Sequence, residues 1–131
     1  MVLVDTNILA YLLIEGDRTA AAQELYARDP DWRSEGFILV ELSNVLATQM
    51  RAKALSREQA ARLLEHAQAL IPDPSHVPHA KALEVACHFG ISAYDARFIA
   101  MAMQVKLKLI TEDAKLRSAV PEWTAPLVRT D

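Results

Sequence analysis

Val2-Leu3-Val4-Asp5-Thr6-Asn7 is a short apolar run closed by three polar residues, and helical spacing begins behind it through Leu9, Leu12 and Leu13. A strand that gives way so quickly to a helix is the unit from which parallel α/β sheets are built. The alternation recurs down the chain. A second helix is expected over Thr19 to Arg28, stopped at Asp29-Pro30-Asp31 because the residue before a proline disfavours the α region. Gly36-Phe37-Ile38-Leu39-Val40 reads as the clearest strand, a fully apolar run suited to the inside of a parallel sheet.

Glu41 then opens a helix whose apolar face is Leu42, Val45, Leu46 and Met50. Ser56-Arg57-Glu58-Gln59 fits a capping box, and the helix after it presents Ala60, Leu63, Leu64 and Ala67 on one side. Leu70-Ile71, before Pro72-Asp73-Pro74, reads as a further short strand. Helical spacing returns from His79 to His88 and stops at Gly90, then resumes from Ser92 to about Met103. Leu107 to Thr111 is a strand, Asp113 starts a short helix, and a last strand is expected near Leu127-Val128. This order predicts an α/β fold: a three-layer α/β/α domain around a mostly parallel central sheet of about five strands, with residues 1–131 as one domain.

A chain of 131 residues can bury a core without disulfide or metal staples, and its 52% hydrophobic and 24% charged residues are ordinary for a globular protein. Cys87 is the one cysteine, so no internal disulfide forms, and its neighbours Val85-Ala86 and His88-Phe89 predict a buried, inert thiol. No stretch free of Asp, Glu, Lys and Arg exceeds ten residues, which excludes a membrane-spanning helix. The first residues lack a basic segment followed by a long apolar one, so no cleaved leader and a cytoplasmic location are expected. Fourteen basic against 17 acidic residues leave a net charge of −3, whereas nucleic-acid-binding domains are usually basic. Acidic metal ligands would lower that sum, yet present positive charge once loaded. The net charge therefore excludes neither class.

Ligands of open α/β sheets bind in the crevice outside the carboxyl ends of the strands. Asp5 follows the first expected strand, Glu41 the second, and Asp113 stands two residues beyond Thr111 at the end of a third. Three carboxylates thus belong at one sheet edge. Asp95, in Ser92-Ala93-Tyr94-Asp95, lies in the first turn of the helix leading into that third strand. Each could serve only to cap a helix or complement its dipole. Clustered carboxylates, however, repel one another and raise their own pKa values unless a hard cation neutralises them. Mg²⁺ and Mn²⁺ take oxygen ligands, and metal-assisted phosphodiester cleavage is the chemistry such a cluster suits.

The segments Val2-Leu3-Val4-Asp5-Thr6-Asn7, Val40-Glu41-Leu42, Ser92-Ala93-Tyr94-Asp95-Ala96 and Leu109-Ile110-Thr111-Glu112-Asp113-Ala114-Lys115-Leu116 resemble the four motifs of the PIN-domain family, in particular its VapC toxin branch. The resemblance runs from residue 5 to residue 116, nearly the whole chain. It implies a PIN-like fold and an Mg²⁺- or Mn²⁺-dependent endoribonuclease that hydrolyses RNA through a metal-activated water. By the same resemblance Asp5, Glu41, Asp95 and Asp113 would be catalytic metal ligands, with Thr6, Asn7, Ser92 and Thr111 orienting ligands or water. A VapB-like antitoxin partner and a homodimer are family expectations. Glu112 departs from the pattern as an extra acid beside Asp113, expected to face outward.

Other residues carry less. His76 and His79 stand three apart, but Pro78 between them breaks the helix a paired metal site would need. His66 and His88 are isolated. Among the basic residues Arg51, Lys53, Arg57, Arg97, Lys106, Lys108 and Lys115, a solvated face is the default. Arg97 and Lys115, each within two residues of a proposed ligand, are the candidates for substrate-phosphate contacts. Three glycines, Gly16, Gly36 and Gly90, make no phosphate loop. A haloacid-dehalogenase-type phosphotransferase would want Asp at position 7, where Asn stands, and a receiver domain would want a Thr and Lys set that is missing. The alternative of another class is a catalytically silent PIN-like module that binds RNA or a protein partner.

Overall fold

Val2–Val4 form β1, an inner strand of an all-parallel sheet. The computed structural model describes residues 1–127. From β1 the chain passes through α1 (Thr6–Leu13) and α2 (Thr19–Arg28) to β2 (Trp32–Arg33), which pairs Val2 with Trp32. It then runs through four helices, α3 (Phe37–Arg51), α4 (Arg57–Leu70), α5 (His79–Phe89) and α6 (Ala93–Val105). The next strand, β3 (Leu109–Ile110), lies on the other side of β1, and α7 (Ala114–Ala119) with a 3₁₀ turn leads to β4 (Thr124–Ala125). Helices flank the sheet as expected. Four strands are present among the described residues, one fewer than predicted.

Because β1 has β2 on one side and β3 on the other, the direction of winding reverses at β1. The crevice at the carboxyl ends of β1 and β3 is therefore the topological switch point, where such sheets bind ligands. Leu3, Val4, Ile8, Leu9 and Leu109 bury themselves behind it. Helix α6 passes through this core with Ala96 and Phe98 to Ala102 all buried.

The largest departure from expectation is at residues 36–40, which are helical rather than extended. A five-residue apolar run has no period of its own to separate the two states. The longer window does: Ile38, Leu42 and Leu46 are buried at four-residue spacing, whereas Val40 is 60% exposed. The helix start is set by Glu35. Its buried carboxylate accepts the Phe37 N–H at 2.8 Å and the Val77 N–H at 3.2 Å, while the Gly36 N–H donates to the Ser75 carbonyl at 2.7 Å. A Cβ on Gly36 would collide with the His76 ring, so glycine admits this close approach. The strand itself is Trp32–Arg33, with Trp32 buried and edge-on to Tyr26.

Smaller corrections follow the same logic. Leu70 ends α4, and Ile71, expected in a strand, is its C-cap, donating to Ala67. The last strand forms at Thr124–Ala125, ahead of the expected Leu127-Val128, and Val128 lies outside the described residues. Cys87 is exposed, not buried, because α5 turns Ala82, Val85 and Ala86 inward and the next residue falls on the outer face. The Ser56–Gln59 capping box forms on both sides, and Gly90 closes α5 with φ +67°. No helix of the described residues is long and apolar enough to cross a membrane.

Candidate metal centre

Asp5 stands at the end of β1 with extended backbone, where its carboxylate accepts the Ile8 N–H at 3.2 Å and so caps α1. Its own N–H donates to the Ile110 carbonyl of β3, which ties the residue to the switch point. Asp113 caps α7 in the same way, with Oδ1 accepting from Lys115 and Leu116 at 3.0 and 3.1 Å. Ser92 caps α6 by accepting the Asp95 N–H at 3.0 Å, and this leaves the Asp95 carboxylate free of the capping role. Capping therefore gives Asp5 and Asp113 a structural role of their own, and gives none to the carboxylates of Asp95 and Glu41.

Glu41 reaches the site from a different element than expected. It sits on the fifth residue of α3 instead of at a strand end, and Thr6 Oγ1 donates to its Oε1 at 2.7 Å. Phe37, Glu41, Asn44 and Val45 follow helical spacing, so one face of α3 is presented to the carboxyl edge of the sheet.

These elements enclose an open cavity of about 370 Å³ lined by all four acids together with Thr6 and Asn7. Burial pushes the Asp5 carboxyl up to about 6 from its ordinary 3.8, with the Asp95 and Glu41 charges adding to the rise. The Ile8 N–H and the Thr111 hydroxyl oppose it. Glu41 is raised by burial and by Asp95, against the Thr6 hydrogen bond. Asp95 is raised by burial and by Asp113, against Ser92. Asp5 thus feels the Asp95 and Glu41 charges, Glu41 feels Asp95, and Asp95 feels Asp113, as like charges in a partly desolvated cleft.

The donor set is all oxygen and mutually repelling, which fits a hard divalent cation. As the side chains stand, no three His, Cys, Asp or Glu of the described residues are close enough to grip one ion together.

Among the expected helpers, Thr6 holds Glu41 directly and Asn7 lines the cavity. Thr111 is fully buried, its hydroxyl accepting the Asp113 N–H at 3.1 Å. Ser92 acts on the backbone of Asp95, as above. Arg97 turns elsewhere, donating to the Val77 carbonyl at 3.0 Å and pairing with His79 Nδ1 at 2.8 Å. Lys115 is exposed on the first turn of α7. Glu112 does not face outward. It accepts the Leu127 N–H at 2.7 Å and lies within 4 Å of Arg18 and Arg117, so it fastens the segment just after the last strand and leaves Asp113 as the acid of the cavity.

Sequence reasoning missed Asn44, Phe37, Val40 and Tyr94 as cavity-lining residues. The first three became recognisable only once 37–51 was one helix, since they share the face of Glu41.

Known proteins place this architecture. A curated relative from Pyrobaculum aerophilum named Ribonuclease VapC3 is 24% identical over 127 residues, spanning 94% of this chain and 97% of the relative. The crystal structure of PAE2754 from the same organism superposes with a TM-score of 0.77 at 22% identity, covering 95% of this chain and 89% of that one. A toxin-antitoxin complex from Klebsiella pneumoniae contains a chain with TM-score 0.69 at 21% identity, covering 99% and 100%. A family model described as PIN domain matches residues 2–120, and on that match the chain belongs to the PIN-domain family.

Proposed function

We propose that this protein is a divalent-metal-dependent endoribonuclease, the toxin of a type II toxin-antitoxin pair held in check by a VapB-like antitoxin. The observation that carries the reading is the convergence of Asp5, Glu41, Asp95 and Asp113 on one cavity at the switch point. The names Ribonuclease VapC3 and toxin-antitoxin complex, borne by similar proteins, support it.

In this reading the four carboxylates hold Mg²⁺ or Mn²⁺, which when bound supplies Lewis-acid activation of water and of the phosphodiester and stabilises the leaving oxygen. The chain's own residues set the stage. Thr6 fixes one oxygen of Glu41 and leaves the other free for the cavity. Ser92 holds the Asp95 backbone at the start of α6 by accepting its N–H. Thr111 and the Asp113 backbone lock the turn that carries the fourth acid. Asn7 and Asn44 offer amide N–H donors to a phosphate or its attacking water. A homodimer in the cytoplasm completes the proposal.

The test is cleavage of structured and single-stranded RNA by the purified chain with Mg²⁺ or Mn²⁺, then with EDTA, beside Asp5→Asn and Asp95→Asn. Metal-dependent cutting that both substitutions abolish is expected. Activity retained in both variants would sink the site assignment. Absence of both cutting and metal binding would favour a binding module instead.

A further inference from the structure

Phe37 and Tyr94 lie in a parallel, offset stack, with ring centroids 5.3 Å apart and planes within 5°. Phe37 opens α3 and Tyr94 lies in the first turn of α6, so each ring stands on the first turn of a rigid element. The pair forms a wall between two adjoining cavities. On one side is the carboxylate cavity, which both rings line. On the other is an apolar groove of about 410 Å³, lined by the same two rings with Leu83, His79 and Arg97. Tyr94 is 63% exposed although it is a large aromatic, and it directly precedes Asp95. Leu83 and Val40 beside it are 62% and 60% exposed.

Single-stranded nucleic acids are held by this combination of parts: a site for the phosphate, a cation along the path, and an aromatic face on which a base stacks. Here the phosphate site would be the loaded carboxylate cavity, the cation Arg97, and the face Tyr94. Because Phe37 already supports one side of the tyrosine ring, little ordering remains to be done when a base lands near it. Paired bases in a duplex do not expose their faces, so the arrangement selects an unpaired nucleotide. We propose that Tyr94 is a positioning residue for single-stranded RNA, stacking the base that adjoins the phosphodiester to be cut, with the strand continuing into the groove over Arg97. This rests on the ribonuclease reading above and adds to it the residue that seats the base.

The experiment measures fluorescence anisotropy of a short labelled single-stranded oligoribonucleotide with the full chain, its four carboxylates intact, in Ca²⁺, which takes the same oxygen ligands as Mg²⁺ but is the weaker Lewis acid and so suppresses cutting. Tyr94→Leu and Tyr94→Phe are measured beside it. Tyr94→Leu should weaken binding about tenfold and Tyr94→Phe should bind like its parent, as stacking needs the ring and not the hydroxyl. With Mg²⁺ in place of Ca²⁺, the Leu variant should raise KM more than it lowers kcat. Equal affinity for Leu, Phe and parent would overturn the inference and leave the ribonuclease reading standing. Equal RNA affinity with loss of self-association in the Leu variant would assign this surface to contact between copies of the chain. No RNA binding by any of the three would remove both readings together.

Discussion

Asp5→Asn should make the metal-free protein more stable, although it removes a residue of the proposed active site. The folded chain holds the Asp5 carboxyl at about 6, against 3.8 when the surroundings are ordinary, and the first cause is burial. A difference of that size means that burying the ionised form costs about 3 kcal/mol at neutral pH. Asparagine is as good an N-cap, and its side-chain oxygen can still accept the Ile8 N–H. The charge is lost and the cap is kept. The expected gain is about 2–3 kcal/mol, or roughly 5–10 °C in Tm for a chain of this size.

The pH dependence separates this cause from any other. In the unfolded chain Asp5 loses its proton near 3.8, and in the folded chain near 6. Between those values the folded state binds more protons, so stability falls as pH rises. The penalty is absent below about pH 4 and complete above about pH 7, and the variant's advantage must follow the same course. Thermal melts in EDTA, read by circular dichroism near pH 4 and near pH 7.5, test it. Mn²⁺ should then raise the parent Tm more than the variant's, because an ion bound only by the folded state stabilises it by mass action. A variant that melts at or below the parent temperature in EDTA at pH 7.5 would refute the reasoning.

Three further outcomes are expected. Thr6→Val removes the 2.7 Å hydrogen bond that orients Glu41 and should lower RNA cleavage about 10–100-fold with little change in Tm, as steady-state kinetics beside a melt would show. Glu35→Ala strands two backbone N–H groups in the interior and should cost about 3–4 kcal/mol in urea denaturation, with Glu35→Gln less damaging because one acceptor survives. Gly90→Ala meets no steric obstacle but must hold φ +67°, so it should destabilise by about 1 kcal/mol; a neutral result would mean that the turn relaxes.

Where several independent cues agreed, the sequence was legible to the residue. Thr19–Arg28 was readable because a period and a following proline mark the same segment, and α4 because its capping box names its own start. Gly90 announced the end of α5 for the same reason. Legibility failed where a single cue stood alone. Phe37 to Val40 offered only apolar character, and the decisive contacts, Glu35 to Val77 and Gly36 to Ser75, join residues about forty apart. Cys87 was misjudged from its neighbours in sequence, when the period set by Ala82, Val85 and Ala86 already turned it outward.

The carboxylates came together even though one supporting element was misread, and the reason is topological. In a parallel sheet every strand-to-helix junction lies at the same edge, so Asp5 and Asp113 just beyond β1 and β3, and Glu41 in the first turns of α3, belong to that edge; α6 leads back into β3, so its first turn, with Asp95, starts there too. Glu41 needed only to fall on the inner face of α3, and the buried positions Ile38, Leu42 and Leu46 leave it beside that face. The aim of a long side chain has no such protection. Arg97 shares the first two turns of α6 with Asp95, yet a carbonyl at Val77 and the His79 ring, both from around the start of α5, draw its guanidinium aside. Glu112 adjoins Asp113 and is drawn the other way, by Arg18, Arg117 and the Leu127 N–H. The backbone brings an acid to the sheet edge, and the backbone follows the sheet; where a long side chain then points is decided by partners that sequence adjacency does not reveal.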